Sequence, residues 1–374
     1  NPILQDPALA IHPPMLYAGY VGYSIIFSLA LASLLNKNKN DEWLYIAKKW
    51  SLISWTFLTG WALIFMTFLV ALRYLSLNWC LMLTIILAST PIIVGVSGSG
   101  QVETRMSLFV IGGCLASVLA RRMDSSFMVI VVGLLAGFLA GSKYYGLFFV
   151  VAFGVTIFFS RSWLRNSFVY IIFVLVAGSQ WYLWNWTNTG DPVFPVLYEF
   201  LGLENTEFWN DHHNSERKKF SKYELPVNAN LLWYFLYPFR ATIYGLEQFD
   251  SQRLGLGLYP LLILPFAIYG AFLGKKKLVA SELLVFVIVS CIFYSLWFFS
   301  ETSQRVRHLL PLLPLVLICF TSAASLAFSA KQELRPVFFG IALIIVFQLG
   351  VQSVSSIKSF RYLLSSETRD EFLA

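Results

Sequence analysis

Residues 281–300 read SELLVFVIVSCIFYSLWFFS, with no charged side chain from Leu283 to Phe299. An α-helix of this length crosses a hydrocarbon core about 30 Å thick. In lipid every backbone polar group must be paired within the protein, which a helix achieves by itself. Working outward, comparable runs recur along the chain and predict spans at 15–35, 51–72, 78–97, 106–120, 127–142, 145–160, 167–186, 256–273, 281–300, 308–329 and 336–354. The fold class that follows is all-α: a polytopic integral membrane helix bundle of about 11 transmembrane helices. The 57% hydrophobic composition agrees, since a soluble domain is typically about 45–50% apolar. One long polar region, 188–255, interrupts the pattern and reads as an extracytoplasmic interfacial layer.

The net charge of +7 is not a nucleic-acid signature, because much of it lies in short loops between apolar runs. Arg121 and Arg122, Arg161 and Arg165, Lys275 to Lys277, and Lys331 with Arg335 fall on alternate turns, which assigns that side to the cytoplasm. The opposite side carries Ser97–Arg105, Lys143–Tyr145, 188–255 and Glu301–Arg307. Counting back to the front places the loop Asn36–Lys49 on that same outer side, although it holds Lys37, Lys39, Lys48 and Lys49. The front and the remainder therefore disagree by one crossing. Four widely spaced cysteines, with no CxxC or CxxCH, argue against a thiol pair, a zinc site or covalent haem; Cys80, Cys114, Cys291 and Cys319 read as packing residues.

The front begins NPILQDPALAIHPPMLYAGYVGYS. Pro13 and Pro14 suit a helix start, where a missing N–H costs nothing. His12 then lies just outside that start, at a membrane surface. A neutral imidazole there either faces water or offers a ring nitrogen to haem iron. This string, with SLALASLL after it and KKWSLISWTFLTG near residue 60, resembles the haem-lyase family of cytochrome c maturation (CcmF and NrfE type). The resemblance implies a haem ligand at His12, haem as cofactor and cytochrome c maturation components as partners. The tryptophan-rich haem-binding loop of that family is absent, and the chain runs on as WALIFMTFLVALRYLSLNW. The expectation is a haem-lyase-like fragment, 1–60, joined near Gly60–Trp61 to a body, 61–374, as a fragment or chimera.

The body resembles the GT-C class of polyprenyl-phosphate-sugar glycosyltransferases, including aminoarabinose and mannosyl transferases. The strings are LASTPIIVGVSGSGQVE, GLLAGFLAGSKYYGL, NWTNTGDPVFPVL and QRVRHLLPLLPLVLI. The resemblance implies a lipid-linked sugar donor among membrane lipids, allows a divalent metal, and gives Glu103 a catalytic place. The plainer reading pairs Glu103 with Arg105 at the interface. Lys143, Arg305, Arg307 and His308 are candidate donor-binding residues on the same face; each basic group equally suits lipid headgroups. Asp211-His212-His213 suggests a metal, but adjacent helical residues point about 100° apart, so no metal site is assigned. Trp181, Trp184 and Trp186 read as an aromatic belt.

The principal catalytic acid of the GT-C class belongs in its first outer loop. Here only Asp41 and Glu42 are near, in a lysine-rich loop, so the catalytic role is not transferred to them and activity is left open. Three readings result. The first is a glycosyltransferase-like protein of the bacterial inner membrane, with catalysis itself left open. The second is a cytochrome c-type biogenesis protein binding haem through His12. The third is a lipid or polymer transporter without chemistry.

Overall fold

A computed structural model of the chain describes residues 22–33, 42–98, 101–204, 209–244, 255–274 and 282–364. His12 and its prolines, Lys37, Lys39, Asp41 and Lys275 to Lys277 lie outside the described residues. The described secondary structure is helical, without a strand. In chain order the helices are α1 (Gly22–Ser33), α2 (Glu42–Trp55), α3 (Ala62–Ala71), α4 (Leu77–Ser89), α5 (Pro91–Gly98), α6 (Glu103–Met123), α7 (Ser126–Ser142) and α8 (Gly146–Phe158). They continue as α9 (Trp163–Thr189), α10 (Asp211–Tyr223), α11 (Leu231–Ile243), α12 (Tyr259–Leu273), α13 (Leu283–Phe299), α14 (Leu313–Ala330) and α15 (Arg335–Leu364). By length and composition, Glu103–Met123, Trp163–Thr189, Val306–Ala330 and Gln332–Val354 can each cross a membrane, and further apolar helices of 10–17 residues accompany them. The protein is thus an all-α membrane bundle, while the expected count of eleven spans does not follow from helix length.

Three expected spans take a different form. The run 78–97 is two helices, because Pro91 holds Thr90 extended (φ −69°, ψ 126°) and ends α4 there. The freed backbone is used: the Ile92 N–H donates to the carbonyl of Gly255 at 3.2 Å. The run 308–329 opens as a 3-10 segment, Val306–Leu312, around Pro311, before α14 begins. The run 51–72 starts earlier, at Glu42, so much of the expected 36–49 loop is helix.

That helix continues through a π-turn, Thr56–Trp61, into α3. Its buried positions show why. Ala47 and Ser54 are buried before the turn, and Thr59, Gly60, Leu63 and Thr67 at or beyond it, so buried positions lie on both sides of the turn. The wide turn accommodates the extra residue and keeps the stripe inward.

α7 and α9 approach closely because both are small at the contact. A Cβ on Gly137 would stand 2.6 Å from the carbonyl oxygen of Val174, and one on Gly178 would stand 2.7 Å from that of Gly137. Small residues at such spacing let helix backbones meet in lipid, where packing has to replace the hydrophobic drive. α6, α13, α14 and the 3-10 segment form the centre, with Phe149 stacked on Phe293 at 4.0 Å between α8 and α13. α9 and α15 turn apolar side chains outward, Leu343 being 74% exposed, as lipid-facing helices do.

The two ends of the bundle are marked by ion pairs. At one end Glu282 meets Arg73 (3.6 Å) and Arg122 (3.4 Å) and accepts from the Tyr74 hydroxyl at 3.2 Å. At the other end stand Glu103, Lys143 and Arg307. The helix from Glu42 therefore descends to the Glu282 end at Ala71, and Lys48 and Lys49 occupy its far half. Their placement runs against the positive-inside pattern of the other loops, as the crossing count implies.

Candidate functional site

α6 begins at Glu103, and its side chain is wholly buried. A carboxylate removed from water needs charge and hydrogen-bond partners. Lys143, at the C-terminal cap of α7, supplies the first by donating to Oε1. The Tyr145 hydroxyl, at the start of α8, donates to the same oxygen at 3.3 Å. Arg307, in the 3-10 segment, brings its Nε within 3.9 Å and donates from Nη1 to Gln101 at 3.4 Å. Oε2 of Glu103 has no hydrogen-bond partner among the described residues. The group thus sets two partly exposed cations around a buried carboxylate that keeps one unsatisfied acceptor oxygen.

His308 lies behind this group. Its ring is 4.8 Å from that of Tyr145, and its Nδ1 accepts from the Trp297 indole at 3.5 Å. Arg305 points elsewhere: it is ion-paired to Glu224 and stands 5.8 Å from the Phe220 ring. That pair belongs to a clasp. Gln304 accepts from the N–H of Val227 at 3.2 Å and donates to its carbonyl at 2.9 Å, while its own N–H donates to the Glu224 carbonyl at 3.0 Å. The polar region is thereby fastened across the bundle mouth. Tyr144 fastens it a second time by donating to the Phe194 carbonyl at 2.6 Å.

Glu103, Lys143 and Arg307 therefore converge, with His308 one ring away, while Arg305 does not join them. The expected alternative pairing of Glu103 with Arg105 is not made; Lys143 takes that place. His12 falls outside the described residues. Among the described residues no three His, Cys, Asp or Glu side chains could hold a metal ion together. In the Asp211-His212-His213 run, Asn210 caps α10 by accepting from the His213 N–H at 3.1 Å, and the His213 ring stacks on Trp209. Sequence reasoning missed Glu224 and Gln304, each more than seventy positions from its partner, and no local pattern marks either.

A family model described as cytochrome C assembly protein matches residues 1–67. Cytochrome c-type biogenesis protein CycK of Bradyrhizobium diazoefficiens is 52% identical over 59 residues, which is 16% of this chain and 9% of that protein. CcmF of Escherichia coli is 49% identical over 59 residues, and NrfE of Haemophilus influenzae 42% over 59, with the same coverage of 16% and 9%. The chain thus spans only 9% of the length of these curated relatives. No solved structure matches. These findings overturn the glycosyltransferase reading and lend no support to its lipid-linked sugar donor: the relatives are named for cytochrome c-type biogenesis, which the resemblance of the first 60 residues implied. Residues 1–67 carry a segment similar to the cytochrome c assembly proteins, within a multi-pass protein of the inner membrane.

Proposed function

We propose that the protein handles haem in cytochrome c-type biogenesis, with His12 as an axial ligand at the outer face and cytochrome c maturation components as partners. The observation that carries this reading is the family match over residues 1–67, within which the His12-Pro13-Pro14 motif falls. A neutral imidazole offers one ring nitrogen to iron. Within the described bundle the His308 ring packs against Tyr145 at 4.8 Å and its Nδ1 accepts from Trp297, so it is buried among protein side chains. Haem contact in this reading is placed at His12, and bound haem would supply its redox-active iron there. Purified full-length protein from haem-replete cells is expected to show a haem absorbance band that weakens several-fold in His12→Ala. A colourless protein, or an unchanged band in the variant, would overturn the assignment.

The same reading divides the chain into a cytochrome c assembly-like front, 1–60, and a separate body, 61–374. The end of the family match at residue 67 and the π-turn at Thr56–Trp61 favour a boundary there. Sequencing single DNA molecules across codons 50–75 tests it: a continuous joint in every molecule makes the fusion real. Labelling residues 36–49 from each side of the membrane then fixes the first crossing. Within the body, the Glu103–Lys143–Arg307 group is the proposed polar binding site, favoured by the open acceptor oxygen of Glu103.

A further inference from the structure

We propose that the cavity between the end of α9 and the segment that follows it binds a small organic cation bearing a quaternary ammonium group. The cavity holds about 460 Å³ and is walled by the rings of Trp184, Phe194, Tyr198 and Trp209, with Glu204 and Asn188 also lining it. Phe194 and Trp209 meet at 5.4 Å and 71°, so two aromatic walls form a corner. Two of the rings are braced from behind. Trp181 stacks on Trp184 at 5.5 Å, and His213 stacks on Trp209 at 5.7 Å. Aromatic faces carry negative charge density and attract cations, most strongly when the ring is tryptophan.

The polar atoms select among ligands. The Asn188 amide nitrogen donates to the Trp184 carbonyl at 2.7 Å. The Thr189 hydroxyl donates to the Asn185 carbonyl at 2.8 Å and accepts from the Asp191 N–H at 3.2 Å. These two groups are therefore engaged within the protein, which leaves the cavity with acceptor rather than donor character. Glu204 forms no ion pair among the described residues, so its carboxylate leaves a net negative charge beside the rings. A quaternary ammonium has no N–H to satisfy and asks only for ring faces and an opposite charge. The cation comes either from a free choline-like solute or from the headgroup of a choline lipid.

The test is equilibrium dialysis of radiolabelled choline against the full-length protein in a nonionic detergent. Its neutral isostere, 3,3-dimethylbutan-1-ol, serves as competitor. Saturable binding is expected, with no displacement by equimolar isostere. Glu204→Gln and Trp209→Ala should each weaken binding about tenfold. Trp184→Ala stands in if Trp209→Ala loses helical circular dichroism. Absent saturable binding, equal displacement by the isostere, or wild-type binding in the variants would overturn the proposal. Nanodiscs separate the sources: lost choline uptake in phosphatidylcholine relative to phosphatidylglycerol identifies the headgroup, and equal uptake identifies the free solute.

Discussion

Glu103 and Glu282 stand at opposite ends of the bundle in the same company, each with two basic side chains and one tyrosine. Their surroundings differ. The Glu103 side chain is fully enclosed, whereas that of Glu282 is 30% exposed. In low dielectric a carboxylate with a partner removed keeps its desolvation cost. In water the same loss is repaired by solvent and salt. Two similar groups of four residues should therefore differ greatly in consequence: the Glu103 group fixes the positions of α6, α7 and the 3-10 segment, while the Glu282 group adjusts a surface.

The largest effect is expected from Lys143→Ala, which strands the Glu103 carboxylate and should lower stability in detergent by about 3 kcal/mol. Thermal unfolding measures it. The double variant Glu103→Leu with Lys143→Met should recover much of the loss, and a double variant as unstable as the single would break the comparison. Gln304→Leu comes next. It leaves the Val227 N–H and carbonyl without their partner, at a cost of about 2 kcal/mol. Faster hydrogen exchange confined to 224–237 would show that the clasp, rather than the whole bundle, has opened. Glu282→Ala should cost less than about 1 kcal/mol, and added salt should shrink the difference further. A loss as large as that of Lys143→Ala would mean that exposure does not separate the two ends.

The smallest effect concerns α10. The hydrogen bond and charge of Lys219 hold the Glu216 carboxyl below its ordinary value of 4.5. A lowered folded value means that stabilisation is present above the ordinary carboxylate range and fades as pH falls through the folded value. Hydrogen exchange of residues 211–223 should therefore quicken modestly in acid beyond the intrinsic pH trend. The change should vanish in Glu216→Gln.

The apolar runs were legible because a helix in lipid leaves an unambiguous mark, so most helices lie where the sequence places them. Residues 78–97 read as one span because hydropathy is continuous across Thr90–Pro91, although Pro91 was a visible stop. The meeting of Glu103, Lys143 and Arg307 was foreshadowed by placing all three on one face. The departure of Arg305 to Glu224 was not, because contacts between distant segments follow from tertiary packing alone. The function of the body was misread for a related reason. Apolar segments of unrelated proteins imitate one another, whereas the HPP-containing front is specific enough to be matched.

The wide turn at Thr56–Trp61 has a meaning for how such a chain can be assembled. One surplus residue in a regular helix would rotate everything beyond it by about 100° and turn a buried stripe toward lipid. Here the surplus is confined to one turn, and Ser54 above it and Leu63 below it both remain inside. A helix can thus splice two stretches whose faces are out of phase, losing only local backbone geometry. Deleting one residue from this turn would make the helix regular and leave both stretches facing inward, whereas forcing the present sequence into a regular helix would turn one of them toward lipid.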